Sequence, residues 1–67
     1  MNVYVEKENK NININGIDKN FTGKHLLEKL KINPSSVILV KNDEVILEDE
    51  ILENADKIKI LSVVSGG

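Results

Sequence analysis

The sequence predicts an α+β fold, a mixed sheet of four to five strands with one helix packed on one face. Three observations predict it. Apolar residues alternate with polar ones near both ends of the chain, as in half-buried strands. A single segment, Thr22 to Lys31, carries the apolar stripe of an amphipathic helix. One helix can hide the apolar faces of these strands only by lying across one sheet.

Met1 to Lys7 alternates, with Val3 and Val5 on one side and Tyr4 and Glu6 on the other. Glu8-Asn9-Lys10 reads as a turn, and Asn11 to Asn15 alternates again with Ile12 and Ile14 apolar, which makes a hairpin. Asn15-Gly16 is a stronger turn signal, but Ile17-Asp18-Lys19-Asn20 beyond it is a poor strand. Gly16 is therefore read as the end or a bulge of the second strand. Thr22 caps the helix by accepting a backbone N–H. Phe21, before the cap, and Leu26, at the fourth helical position, have the spacing of a hydrophobic staple. Leu26, Leu27 and Leu30 form the stripe, while Lys24, Glu28, Lys29 and Lys31 face water. Pro34 disfavours a helical Asn33 and ends the helix near Ile32.

Val37 to Val40 is apolar throughout, so this strand is either buried on both faces or carries a sticky outer one. Lys41-Asn42-Asp43-Glu44 is a turn before a short strand, Val45 to Leu47. Glu48-Asp49-Glu50 is a solvated charged loop. Ile51 and Leu52 tuck a short turn under the core, and Lys57 to Val64 is the last strand, with Ile58 and Ile60 inward. The order β-β-α-β-β-β predicts a β-grasp (ubiquitin-like) arrangement. Its first and last strands lie side by side and parallel at the centre of the sheet.

At 67 residues the chain is one domain with a thin core, burying roughly 60% of the surface its unfolded form exposes. Residues 1–64 form that domain, and Ser65-Gly66-Gly67 is expected to be a flexible tail. With no cysteine, disulfides, thiolate zinc sites and thiol nucleophiles are excluded. A single histidine, His25, excludes a multi-histidine metal site, so no metal is expected. Net charge is −2, every cation is a lysine, and Tyr4 and Phe21 are the only aromatics. Nucleic-acid binders show the opposite balance. No apolar run approaches a membrane span, and no leader pattern opens the chain, so a soluble cytoplasmic protein is expected. His25 has no visible nucleophile beside it, and no carboxylate pair has acid/base spacing. No intrinsic catalysis and no bound cofactor are predicted.

Tyr4, Ile38, Val40 and Leu61 fall, by alternation, on the sheet face away from the helix. Exposed apolar residues gathered on one face commonly mark a partner surface. Val63 and Val64 flank the tail and are expected to touch the same partner.

The helix "TGKHLLEKL", the approach "NPSSV" to the third strand, the hairpin "VKNDEVI" and the end "ADKIKILSVVSGG" occur in this order over about the last two thirds of the chain. Together they resemble the ThiS/MoaD family of small ubiquitin-like sulfur carriers, nearer ThiS by length. Two terminal glycines after a strand are the most specific feature, expected by chance in roughly 0.5% of chains at a glycine frequency of ~7%. The chain departs from the family in two turns, with Asn42-Asp43 where Asn-Gly is common and Asn54-Ala55-Asp56 where Asp-Gly-Asp is common. Asp43 tolerates a positive φ better than most residues, whereas Ala55 fits a left-handed position poorly.

The resemblance implies a chemistry located at Gly67. A ubiquitin-activating-type enzyme adenylates its carboxylate with ATP, and a sulfur donor enzyme converts the acyl-adenylate to a thiocarboxylate. The sulfur then passes to thiazole synthase or another acceptor. On this reading the chain is a protein cosubstrate rather than an enzyme. Thiamine thiazole synthesis is the first destination, with molybdopterin, tRNA thiolation and cysteine synthesis as others. The alternative is a ubiquitin-like modifier joined to lysines through Gly67. Glycine at both final positions has its own physical reason, because a backbone without Cβ can thread a narrow channel. Ser65 would let the tail leave the sheet.

Overall fold

The computed structural model describes residues 1–63. Strands β1 (Asn2–Val5) and β2 (Lys10–Asn13) are followed by helix α1 (Gly23–Lys29) and by strands β3 (Val37–Lys41), β4 (Glu44–Ile46) and β5 (Lys57–Ser62). They form one five-stranded sheet in the order β2-β1-β5-β3-β4. β1 and β5 run parallel, with Val3 opposite Ile58 and Val5 opposite Ile60, and the other neighbours are antiparallel. This is the β-grasp expected from the sequence, with the first and last strands paired inside the sheet.

Alternation places the core. Val3, Val5, Leu39, Ile58 and Ile60 point to one face and meet Leu26 and Leu27 of α1, with Leu52 closing one side. Fully burying such a side chain stabilises the fold by about 1.5–3 kcal/mol. Ile51 does not join them as expected, since it is 49% exposed. Its backbone bridges to Thr22, and neighbouring residues of an extended segment point to opposite sides. Leu52 alone therefore turns inward.

All four orphan N–H groups at the start of α1 have acceptors. Gly23 and Lys24 donate to the carbonyls of Glu50 (3.0 Å) and Glu48 (2.7 Å). His25 donates to Thr22 Oγ1 at 3.3 Å, and the fourth group is the N–H of Thr22 itself. The His25 ring returns the favour, as Nδ1 accepts from the Thr22 N–H at 3.1 Å, completing a capping box. His25 thus has a structural role, and the acidic loop 48–50 caps the helix with its backbone while its side chains stay in water. Gly23 permits this approach. A Cβ there would stand 2.5 Å from Leu39 Cδ1 and 3.2 Å from the Glu48 carbonyl oxygen.

The helix ends earlier than predicted, at Lys29. Lys31 adopts a left-handed φ of 59°, and the N–H groups of Lys31 and Ile32 donate back to the carbonyls of Glu28 and Leu27. This is the Schellman closure, in which glycine is the usual residue. Lys31→Gly is expected to stabilise the domain by about 0.5–1 kcal/mol by removing the Cβ conflict. A thermal melt checks it, with Tm rising roughly 3–6 °C.

Strand boundaries also differ, with β2 at Lys10–Asn13 rather than Asn11–Asn15 and β3 reaching Lys41. β1 stops at Val5 because residues Glu6–Glu8 wind into a 3₁₀ turn, closed by Asn9 at φ 48°. β4 begins at Glu44, because Asn42 and Asp43, both at positive φ, make a two-residue turn that pairs Lys41 directly with Glu44. β5 ends at Ser62 rather than Val64. Gly16, at φ 71°, lies beyond the end of β2.

The start of β5 is pinned by one buried carboxylate. Asp56, 7% exposed, accepts from the Glu53 N–H at 2.7 Å and from Asn42 Nδ2 at 2.9 Å. Asn42 in turn exchanges bonds with Lys57, accepting from its N–H through Oδ1 and donating to its carbonyl. Burial alone would raise the Asp56 pKa, but the Glu53 N–H, the Asn42 amide and the charge of Lys41 outweigh it, and the carboxyl lies below its usual value. Ala55 has no positive φ. The turn needs no left-handed residue there, because Asp56 holds it from within.

Candidate functional site

The sheet face opposite α1 reads directly from the register. One row crosses all five strands as Val45, Val40, Lys59, Tyr4 and Asn11. In the next row Ile38 lies opposite Leu61. Ile38, Val40 and Leu61 therefore share one apolar group, as alternation predicts. Ile38 is 42% exposed, and Val40 and Leu61 are half-buried.

Tyr4 lies on the same face but apart from this group. Lys59 stands between it and Val40, and its hydroxyl donates to Asn9 Oδ1 at 2.8 Å. Val45 extends the group on the other side and is among the most exposed apolar residues, at 73%. Sequence reasoning passed over Val45 and Lys59, although both signals were available. Counting back across the Asn42-Asp43 turn pairs Val45 with Val40. The inward setting of Ile58 and Ile60 turns Lys59 outward.

Around the β4 edge the apolar surface continues into a shallow hollow of about 540 Å³ that Pro34 and Leu47 help to line. Further along β3, Lys41 donates to Glu50 Oε2 at 3.1 Å, an ion pair that raises the Lys41 pKa and ties β3 to the acidic loop.

β5 carries this face to its end. β1 has already left the sheet at Glu6, so Ser62 has no backbone acceptor opposite it on that strand. The Glu6 carboxylate takes the place, accepting from the Ser62 N–H at 2.9 Å. On the other side the Val63 N–H donates to the Ser36 carbonyl at 3.0 Å. Val63 is 45% exposed at this end of the sheet, next to Ser62 and the Ile38–Leu61 pair. Val64, Ser65, Gly66 and Gly67 lie outside the described residues. Among the described residues no group of three or more metal-ligating side chains forms, and no helix is long and apolar enough to cross a membrane.

An apolar sheet face that ends at the exit of a central strand suits a protein handed whole to a partner. Comparison with known proteins gives the family. The model of the ThiS family matches residues 10–67. The chain belongs to the ThiS family. It is a sulfur-carrier protein of the ThiS/MoaD type, of ThiS-like length, a group of carriers without catalysis of their own whose partners typically include adenylating enzymes. Among curated proteins it is similar to the sulfur carrier protein TtuB of Thermus thermophilus. The two are 38% identical over 61 residues, which covers 90% of this chain and 88% of that protein.

Proposed function

We propose that this ThiS-family chain carries sulfur on the carboxylate of Gly67 for synthesis of the thiamine thiazole. The observation that carries the reading is the family match, which runs through β5 to the two glycines. The chemistry is consistent with a chain that brings no catalytic groups of its own. The carboxylate attacks the α-phosphorus of ATP on an adenylating enzyme and releases pyrophosphate. Sulfide then displaces AMP from the acyl carbon and leaves a thiocarboxylate. If an enzyme persulfide delivers the sulfur instead, a second thiol cleaves the resulting S–S bond.

Docking on the adenylating enzyme falls to the apolar group of Ile38, Val40 and Leu61, extended by Val45, with Val63 and Val64 beside the tail. Tyr4 contributes at the margin, across Lys59. Ile38→Asp is expected to leave the domain folded at a cost of about 1 kcal/mol, because Asp is a poor strand former while the Ile38 side chain is 42% exposed. It should weaken binding to the enzyme roughly thirtyfold, as truncation of an interface centre does. Titration calorimetry with the purified pair checks it.

The assignment is tested on protein isolated from its own cells. An intact mass with one sulfur in place of one oxygen at Gly67 supports the carrier reading, and loss of thiamine-independent growth on deleting Gly66-Gly67 supports the pathway. Gly-Gly remnants on lysines of other proteins, with no thiocarboxylate, would replace it with a protein modifier.

A further inference from the structure

Where a tail starts matters as much as what it contains. β1 and β5 pair in parallel as far as Val5 opposite Ile60. There the backbone of β1 turns away into the 3₁₀ segment Glu6–Glu8, while β5 continues through Leu61 and Ser62. A strand that outlasts its neighbour has N–H groups on that side with no ladder partner, and such an end frays. Here the fraying is met by a side chain. Glu6 is the first residue to leave β1, and its Oε1 accepts from the Ser62 N–H at 2.9 Å. This contact joins residues from opposite ends of the sequence. A carboxylate acceptor makes a stronger bond than a carbonyl. On the opposite side β3 begins at Val37, and the Ser36 carbonyl accepts from the Val63 N–H. Successive N–H groups, Ser62 and Val63, are thus held from the two flanking elements.

We propose that Glu6 is a positioning residue. Its carboxylate fixes the point at which the chain leaves the sheet, and so the place from which the tail enters the active site of the adenylating enzyme. The inference rests on the carrier reading for its consequence but not for its geometry. Four residues follow Val63 in the sequence, and a chain of that length reaches at most about 14 Å fully extended. Without Glu6, the end of β5 is tied only on the β3 side, through the Val63 N–H and the Ser36 carbonyl, and the direction in which the chain continues is no longer fixed. Docking through Ile38, Val40 and Leu61 is untouched, so the defect falls on delivery of the carboxylate and not on capture of the protein.

The test uses the full chain with Glu6→Ala and Glu6→Gln, the second keeping an acceptor oxygen. In amide hydrogen exchange, Glu6→Ala should speed exchange at Ser62 by roughly ten- to a hundredfold, the worth of one hydrogen bond to a charged group. Val3 and Ile58 amides should not change beyond any shared shift in global stability. In ATP–pyrophosphate exchange with the adenylating enzyme, Glu6→Ala should lower kcat roughly three- to tenfold with KM within about twofold, as misplacement of a reacting group does. Glu6→Gln should recover most of both. Unchanged Ser62 exchange in Glu6→Ala overturns the clamp, and unchanged kcat with faster Ser62 exchange overturns its role in delivery. A wild-type chain that supports no pyrophosphate exchange counts against the carrier reading instead, and the Ser62 amide still decides whether Glu6 holds the strand.

Discussion

Asp56→Ala is expected to cost the fold about 2–3 kcal/mol, since it strands two donors that now share a buried carboxylate. The donors are the Glu53 N–H and Asn42 Nδ2, and Asn42 is also the residue that joins the β3–β4 turn to the start of β5. A domain of this size holds only roughly 3–10 kcal/mol in total. The loss should lower Tm by roughly 10–20 °C in a calorimetric scan. The charge adds a pH signature. The folded pKa of Asp56 lies below its ordinary value of 3.8. The stabilisation is therefore complete above that value and is lost as pH falls through the lower, folded one. Asp56→Asn keeps the shape but cannot ionise, so its stability curve should lack this acid limb. A wild-type protein with no greater acid sensitivity than Asp56→Asn would remove Asp56 as the cause.

Gly66→Val carries the largest expected effect on function. Gly66 comes four residues after the last residue of β5, and stability is expected to stay within about 0.5 kcal/mol of wild type. Adenylation should fall by at least about a hundredfold, because a branched Cβ restricts the backbone and misplaces the reacting carboxylate. Pyrophosphate exchange measures it, with Gly66→Ala intermediate. Activity near wild type in Gly66→Val would mean that the enzyme does not enclose the tail. The contrast with Asp56→Ala is useful, since one variant keeps the fold and loses the chemistry while the other weakens the fold with the tail intact.

Much of this architecture was legible in the residues. Val3, Val5, Ile58 and Ile60 announce two strands with one buried face, and their apolar character places both inside the sheet. Phe21-Thr22 and Leu26 mark the start of the helix. Its end was less legible, because Lys31 occupies a left-handed position that glycine usually signals. The outer apolar group was legible for Ile38, Val40 and Leu61, which alternation alone assigns. Separation of Tyr4 from them needed the register, since it depends on Lys59 standing on the intervening strand. Glu6 was beyond local reading. It belongs to an exposed acidic stretch, and only the early departure of β1 brings its carboxylate to Ser62. Asp56 was hidden similarly, its partner Asn42 being in a different turn.

The parallel pairing of Val3 with Ile58 has a consequence for biosynthesis. β1–β2 and β3–β4 are hairpins that close locally, but they share no edge. β5 alone joins them, and among the described strands it comes last in the chain. During synthesis the chain can hold two ribbons and a helix, yet no continuous sheet until Ser62 is clear of the ribosome. Such distant pairing is slow to form. A product truncated before β5 therefore has two separate ribbons and no continuous sheet.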